Sequence, residues 1–480
     1  MQKKFVTNLA FLLFLNLLIK PFWILGIDRS VQNTVGAEEY GLYYALFNFS
    51  FLFNILLDLG ISNFNNKNIA QNHALLNKSL SGILFLRIIL AVIYVAVSLI
   101  TGLIIGYRWN QLSMLLILLF NQVLISFILY LRSNYAGLHL FRQDSIISVL
   151  DRFLMIVFTG YLLWFRKPET SFRIEWFIFS QTASYMLTAL TAFYFIARKA
   201  GLQRLNWNPA FMRMILRQSF PYALLTLLMT FYFRIDGVML ERILPDGKEK
   251  AGIYAQAFRL LDAASMIAYL FGVLLLPIFA KMIKLKERIH ELLRLSYSLL
   301  VIPAFITGIL SFSFQKEIMH LLYHEHIELS APVFGLMMIT FGAVSTSYIY
   351  GTLLTANGSL FALNIIAAGS LVLNLTLNFI LIPRMEIMGA AIAGLVTQYM
   401  SALTQAWMAY RVFNLKPDFR FVFSIISVLA LSFIVLMLLK TTSLDWKWQL
   451  VFGFVSSFML SAAFRIINLK TLFRILRNDL

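Results

Sequence analysis

The chain has 480 residues, of which 60% are hydrophobic and only 13% charged, and its mean hydropathy is +0.79. That composition excludes a soluble globular protein, and the lack of cysteine excludes disulfides, thiol catalysis and Cys-ligated metals. A net charge of +18 would point to nucleic acid in a soluble chain, but no basic domain folds outside the apolar stretches here. Nucleic acid is therefore not an expected partner, and the charge is read as membrane topology and contact with anionic lipid headgroups.

Apolar stretches of about 20 residues recur from end to end, the length a helix needs to cross a bilayer. Their limits are 6–26, 40–61, 82–106, 112–132, 145–165, 175–197, 218–242, 252–277, 296–315, 331–355, 360–383, 388–410, 419–439 and 447–465. The ten-residue alternation of a β-barrel is not seen. The expected fold class is an all-α polytopic membrane protein with about 14 transmembrane helices. Lys3 and Lys4 before an apolar run imitate a secretory signal, but no small-residue cleavage site follows and Lys20-Pro21 interrupts the run. It reads as a retained first helix.

With the N-terminus inside, cytoplasmic segments hold 23 Lys/Arg and external ones 12. This places both termini in the cytoplasm. Connections are short, so no soluble catalytic domain fits on either face. Residues 278–295 (IFAKMIKLKERIHELLRL, basic and apolar by turns) read as an amphipathic helix in the headgroup region or as a solvated connector.

Two faint matches suggest a duplication. Gly41-Leu-Tyr-Tyr-Ala-Leu-Phe47 resembles Gly252-Ile-Tyr-Ala-Gln-Ala-Phe258, and each follows an Ile-Asp pair, Ile27-Asp28 and Ile235-Asp236. The near-constant offset implies two six-helix lobes, 1–200 and 201–415, with two further helices and a tail in 416–480. Six crossings per lobe give both lobes the same orientation, an architecture of transporters.

Five basic residues fall inside the stretches: Lys20, Arg87, Arg152, Arg234 and Arg259. A charge near the bilayer centre costs roughly 2.5–3.5 kcal/mol, so each needs a partner or a polar cavity. Counted at 1.5 Å per residue, Lys20, Arg234 and Arg259 fall slightly outside the centre, while Arg87 and Arg152 lie toward the inner face. As a group they can hold an anionic headgroup such as a diphosphate, or pair with acids and lock helices together. Arg259 and Asp262, three apart, share a helix face. Arg234 and Asp236, two apart, point about 200° away from each other and need separate partners.

Asn374 and Asn378 at i, i+4, with Thr397, Gln398 and Asp236, offer oxygens for a coupling ion or for interhelical hydrogen bonds. No resident cofactor or metal is expected; Na⁺ or H⁺ coupling is compatible with the residues. His324-Glu325-His326 and Glu38-Glu39 are weak signals for a metal and for glycosyl transfer. No P-loop or Ser/His/Asp set occurs, so an enzyme is not the expected reading.

The run Phe220-Pro-Tyr…Arg234-Ile-Asp236, followed by Ala251-Gly-Ile-Tyr-Ala-Gln-Ala-Phe-Arg-Leu260 and Leu276-Pro277, resembles polysaccharide flippases. So do Asn374-Leu-Thr-Leu-Asn378-Phe-Ile-Leu-Ile-Pro383…Gly389-Ala-Ala-Ile-Ala393 and the segment Gly36-Ala-Glu-Glu-Tyr-Gly41. These flippases belong to the multidrug/oligosaccharidyl-lipid/polysaccharide exporter superfamily. The resemblance implies export of an undecaprenyl-diphosphate-linked oligosaccharide across the bacterial inner membrane, by alternating access, for O-antigen, capsule or exopolysaccharide. It implies cations at Arg234, Arg259 and Lys20 on the diphosphate, with a polymerase and a chain-length regulator as pathway partners. One departure is visible: where the family has glycine three residues after Ile-Pro, this chain has Glu386. A multidrug/cation antiporter, a peptidoglycan-precursor flippase and, from another class, a membrane glycosyltransferase or polymerase remain as alternatives.

Overall fold

The computed structural model describes residues 14–16, 18–62, 65, 69, 75–138, 140–165, 172–200, 209–415, 418–464 and 466. Among them the chain is helical with no strand, and the expected apolar stretches fall mainly on helices where they are described. Nine of the described helices are long and apolar enough to cross a membrane. By its contacts the chain divides into two compact units, Met1–Gly252 and Ile253–Leu480.

In the N-terminal unit the first helix does not end at residue 26. It passes through a π-helical turn, Trp23–Asp28, into α1 (Arg29–Leu52) and breaks at Gly36. Nothing between 26 and 35 interrupts the hydrogen-bond ladder, whereas Gly36 adopts φ 80° and ψ 173°, a region open to glycine alone. The second half of α1 carries the start of the expected 40–61 stretch. It gives way after Leu52 to a 3₁₀ turn, Asn54–Leu57, earlier than the expected residue 61.

There follow α2 (Leu75–Ile105), α3 (Trp109–Gly137), α4 (Phe141–Trp164), α5 (Ile174–Ala200) and α6 (Pro209–Ile243). Helix α5 packs on α3 and α4, and α6 packs along α1. Close approach of α6 depends on Gly237, where an added Cβ would lie 2.6 Å from the Tyr44 ring and 2.9 Å from the Asn48 amide.

Helix α7 (Gly247–Lys284) begins in the first unit and runs into the second. The expected amphipathic helix over 278–295 is not continuous. α7 carries its first part, Lys286 turns the backbone left-handed (φ 55°), and α8 (Ile289–Ser296) starts afresh with Ile289 and Leu293 buried in the protein. Burial of those apolar residues, rather than a lipid surface, explains the periodicity.

The C-terminal unit continues with α9 (Ile302–Ser313), α10 (Gln315–Leu322), α11 (Ile327–Ala356) and α12 (Leu360–Val412), closing with α13 (Phe419–Lys440) and α14 (Trp446–Ala463). The 53-residue α12 is two crossings joined at Glu386, whose φ 49° and ψ −128° are non-helical. Ile302, Ile306, Leu310 and Phe314 share a core with Val428, Leu436 and Ile466, so α13 and α14 pack on α9.

Candidate functional site

The buried charges of the N-terminal unit fall into three groups. Arg87 forms an ion pair with Asp58, and its guanidinium also donates to the Ser62 hydroxyl and to the Ser126 hydroxyl and carbonyl, each at 2.9 Å. The Tyr130 ring lies 4.7 Å away. Asp58 accepts in turn from the Ser62 backbone, so this arginine ties α2 to α3 and to the end of the second crossing.

The second group gathers Lys20, Arg132 and Arg152. Arg132 makes a two-pronged pair with Asp144 at 2.7 and 3.3 Å. Arg152 is 28% exposed, stands 3.9 Å from Asp151, and donates to the Tyr185 hydroxyl at 3.0 Å. Its guanidinium lies 5.7 Å from both the Trp23 and Tyr185 rings. Lys20 is within electrostatic reach of Arg152, Asp151 and Arg132. Among the described residues this cluster holds three cations, Lys20, Arg132 and Arg152, and two carboxylates, Asp144 and Asp151.

This grouping corrects the expected depth of Lys20. The count from residue 26 put it near Arg234; measured from the real break at Gly36 it lies sixteen residues, or about 24 Å, along the helix. It sits instead at the level of Arg152, at the end of the unit that carries Asp144.

The third group surrounds Arg234 on α6. The guanidinium is half-buried, donates to the Asn48 side-chain oxygen at 3.4 Å, and lies 5.3 Å from the Phe51 ring and 5.7 Å from Phe233. Asp236 is buried two residues on, turned to another face of the helix. At the opposite end of the unit from Asp144, Arg242 pairs with buried Glu241 and covers the Tyr107 ring at 4.3 Å, with Gln111 joining both. Burial, and next the Glu241 carboxylate, push the Tyr107 phenol up, so the contact is cation–π and not ionic.

In the C-terminal unit Arg259 and Asp262 are half-buried, three residues apart on α7. Asn378 donates to Asn374 at 3.0 Å, both fully buried on the first half of α12. Thr397 and Gln398 are buried on its second half, and the Thr397 hydroxyl has no hydrogen-bond partner among the described residues. Glu325 is engaged through its backbone, accepting from Gln256 at 3.3 Å. Among the described residues no group of three or more His, Asp or Glu could hold a metal ion.

Sequence reading singled out Lys20 and Arg152 but missed Arg132 and Tyr185. Arg132 lay at the edge of an apolar stretch and passed for a loop charge. Gln181 and Tyr185, at i, i+4 in an otherwise apolar span, were the available signal for α5.

The model of the polysaccharide biosynthesis protein family matches residues 6–283, more than half of the chain. The chain belongs to that family. A search of curated proteins finds no match. Among solved structures, this polysaccharide biosynthesis protein resembles the lipid II flippase MurJ in an inward closed conformation. The TM-score is 0.62 at 13% identity, covering 91% of this chain and 98% of MurJ.

The MATE transporter VcmN of Vibrio cholerae matches with TM-score 0.56 and 15% identity over 85% of this chain and 97% of its own. A superfamily transporter from Pyrococcus furiosus, described as having a binding pocket of reversed polarity, gives TM-score 0.52 and 14% identity over 85% and 94%. At such identities the likeness establishes the fold. The polysaccharide biosynthesis protein is a multi-pass helical membrane protein with the fold of this transporter superfamily.

Proposed function

We propose that the protein is a flippase that moves an undecaprenyl-diphosphate-linked oligosaccharide from the cytoplasmic to the outer leaflet of the bacterial inner membrane, by alternating access, and is not an enzyme. The observation that carries the reading is the cation excess of the Lys20, Arg132 and Arg152 group, three basic residues against Asp144 and Asp151. An excess positive charge within apolar helices suits a substrate that brings its own negative charge. Half-buried Arg234 and, in the C-terminal unit, Arg259 supply further cations of the same kind. A multidrug/cation antiporter would need the opposite sign.

Energetics favour the direction. With the inside negative, each negative charge moved outward gains about 2.3 kcal/mol per 100 mV, so a diphosphate of roughly two charges gains about 4–5 kcal/mol. The potential alone is a sufficient drive. Coupling to Na⁺ or H⁺ is an additional component, for which Asn374, Asn378 and Thr397 in one unit and Asp236 in the other are the candidate groups. O-antigen, capsule and exopolysaccharide assembly are the pathways we infer, with a polymerase and a chain-length regulator acting on the exported lipid.

The glycosyltransferase alternative rests on Glu38-Glu39; Glu38 lies 3.7 Å from Lys248 in a surface pair. The deciding experiment is deletion of the gene in its host, followed by complementation. The expected result is loss of surface glycan with accumulation of lipid-linked oligosaccharide on the cytoplasmic side, restored by the wild-type chain. Normal export by a chain in which Lys20, Arg152 and Arg234 are all neutralised overturns the reading. Loss of viability through failed peptidoglycan assembly assigns the chain to the peptidoglycan-precursor flippases instead.

A further inference from the structure

From Tyr43 to Leu52, the second half of α1 is buried at every position except two, Phe47 and Phe51. With Tyr43 these residues stand at i, i+4 and i+8, on one stripe of the helix. Their rings follow one another at 5.8 Å between Tyr43 and Phe47 and 5.2 Å between Phe47 and Phe51. Tyr43 is anchored at one end: its ring meets Phe177 edge-on at 5.3 Å and its hydroxyl accepts from Gln181 at 2.8 Å. At the other end the Arg234 guanidinium lies over Phe51.

Accessible phenylalanines on a membrane helix ordinarily face hydrocarbon. Here the arginine on the same surface argues otherwise, because a guanidinium left part-exposed to lipid is costly and a polar environment relieves that cost. Amide groups border the row as well. Asn48 is fully buried beside Arg234, and its side-chain nitrogen has no acceptor among the described residues. Half-buried Asn54, three residues past Phe51, is held by Gln122 at 2.6 Å. Flat apolar faces flanked by amides and ending at a cation suit a ligand with apolar ring faces, equatorial hydroxyls and an anionic group at one end. A phosphorylated sugar has that chemistry.

We propose that Phe47 and Phe51, backed by the buried ring of Tyr43, form a saccharide-stacking track, with Arg234 at its end holding the phosphate to which the sugar is attached. The assignment rests on the lipid-linked oligosaccharide reading above and adds to it a subsite for the glycan, beside Arg234, one of the cations proposed for the diphosphate. Stacking recognises ring faces rather than particular hydroxyls, so the track accepts different sugars in register with the same anionic end.

The test uses the full-length protein in nanodiscs and two probes, undecaprenyl diphosphate and undecaprenyl-diphosphate-N-acetylglucosamine. One added stacked ring is expected to make the sugar-bearing lipid bind about fivefold more tightly to the wild type. That gain should fall below about twofold in Phe47→Leu and Phe51→Leu, and persist in Phe47→Trp, which keeps a flat aromatic face. Equal binding of the two probes by the wild type, or an undiminished gain in both leucine variants, overturns the track and leaves the flippase reading standing. Failure of the wild type to bind either probe overturns that reading and the track together.

Discussion

Gly41 and Gly252 meet backbone to backbone, each against the residue four positions before the other. A Cβ on Gly41 would lie 1.8 Å from the Lys248 carbonyl oxygen, and a Cβ on Gly252 would lie 1.9 Å from that of Ala37. The two glycines are also the matched first residues of the expected repeat. Segments 37–41 and 248–252, matched in the expected repeat, therefore pack closely on one another.

Alanine at either glycine should be expensive, because the obstructing atom is main chain and cannot rotate away. Gly41→Ala and Gly252→Ala are each expected to lower stability by about 1–3 kcal/mol, the range for overpacked sites. Gly369→Ala is the matched control: no atom lies within 4 Å of its Cβ, and a helical glycine replaced there should gain about 0.5–1 kcal/mol. Thermal unfolding in detergent reads both, and unaltered melting of the first two variants would refute the close approach.

Much of this was legible beforehand because a bilayer imposes length. A helix must span about 20 apolar residues, and those runs stand out in a chain that is 60% hydrophobic. The match between Gly41 and Gly252 is legible because both positions must stay small. What hydropathy could not mark is where a helix ends inside polar sequence. Residues 27–35 carry Asp28, Arg29 and Gln32, yet the helix continues through them to Gly36, and Lys20 shifted in depth as a result. Likewise the apolar period of 289–296 did not say whether lipid or protein would cover it.

Glu386 stands where the flippases this chain resembles carry glycine, and the backbone explains why glycine suits the position. At φ 49° and ψ −128° a side chain is strained, at a cost of order 1–3 kcal/mol. Glu386→Gly should therefore raise stability by about 1 kcal/mol, even though glycine loosens the unfolded chain. A higher melting temperature for this variant is the expected result; a lower one would mean that contacts of the Glu386 side chain outweigh the strain.

The Arg87–Asp58 pair is placed to hold the bundle rather than to wait for a ligand, since the guanidinium already contacts Asp58, Ser62 and Ser126. Asp58→Asn leaves a buried guanidinium uncompensated and is expected to cost about 3 kcal/mol, seen as a sharp drop in folded protein. Replacing both partners with apolar residues, Arg87→Met with Asp58→Leu, should restore much of the loss. If the single variant folds normally but stops glycan export, Arg87 belongs with the substrate-binding cations instead.

Arg152 and Lys20 are expected to behave in the opposite way. Neutralising either, as Arg152→Gln or Lys20→Gln, should leave the protein inserted at normal levels while reducing surface glycan in a complemented deletion strain. The two differ in what can substitute. Arg152 is held by the Trp23 and Tyr185 rings and by the Tyr185 hydroxyl, contacts that use a planar guanidinium. Arg152→Lys keeps the charge but loses that geometry, so export should remain impaired. Lys20→Arg keeps a cation on a flexible stem and should retain most export. Quantifying surface glycan against membrane-inserted protein for these four variants separates a positioned guanidinium from a simple need for positive charge. Full export by Arg152→Lys would show that charge alone suffices at that position.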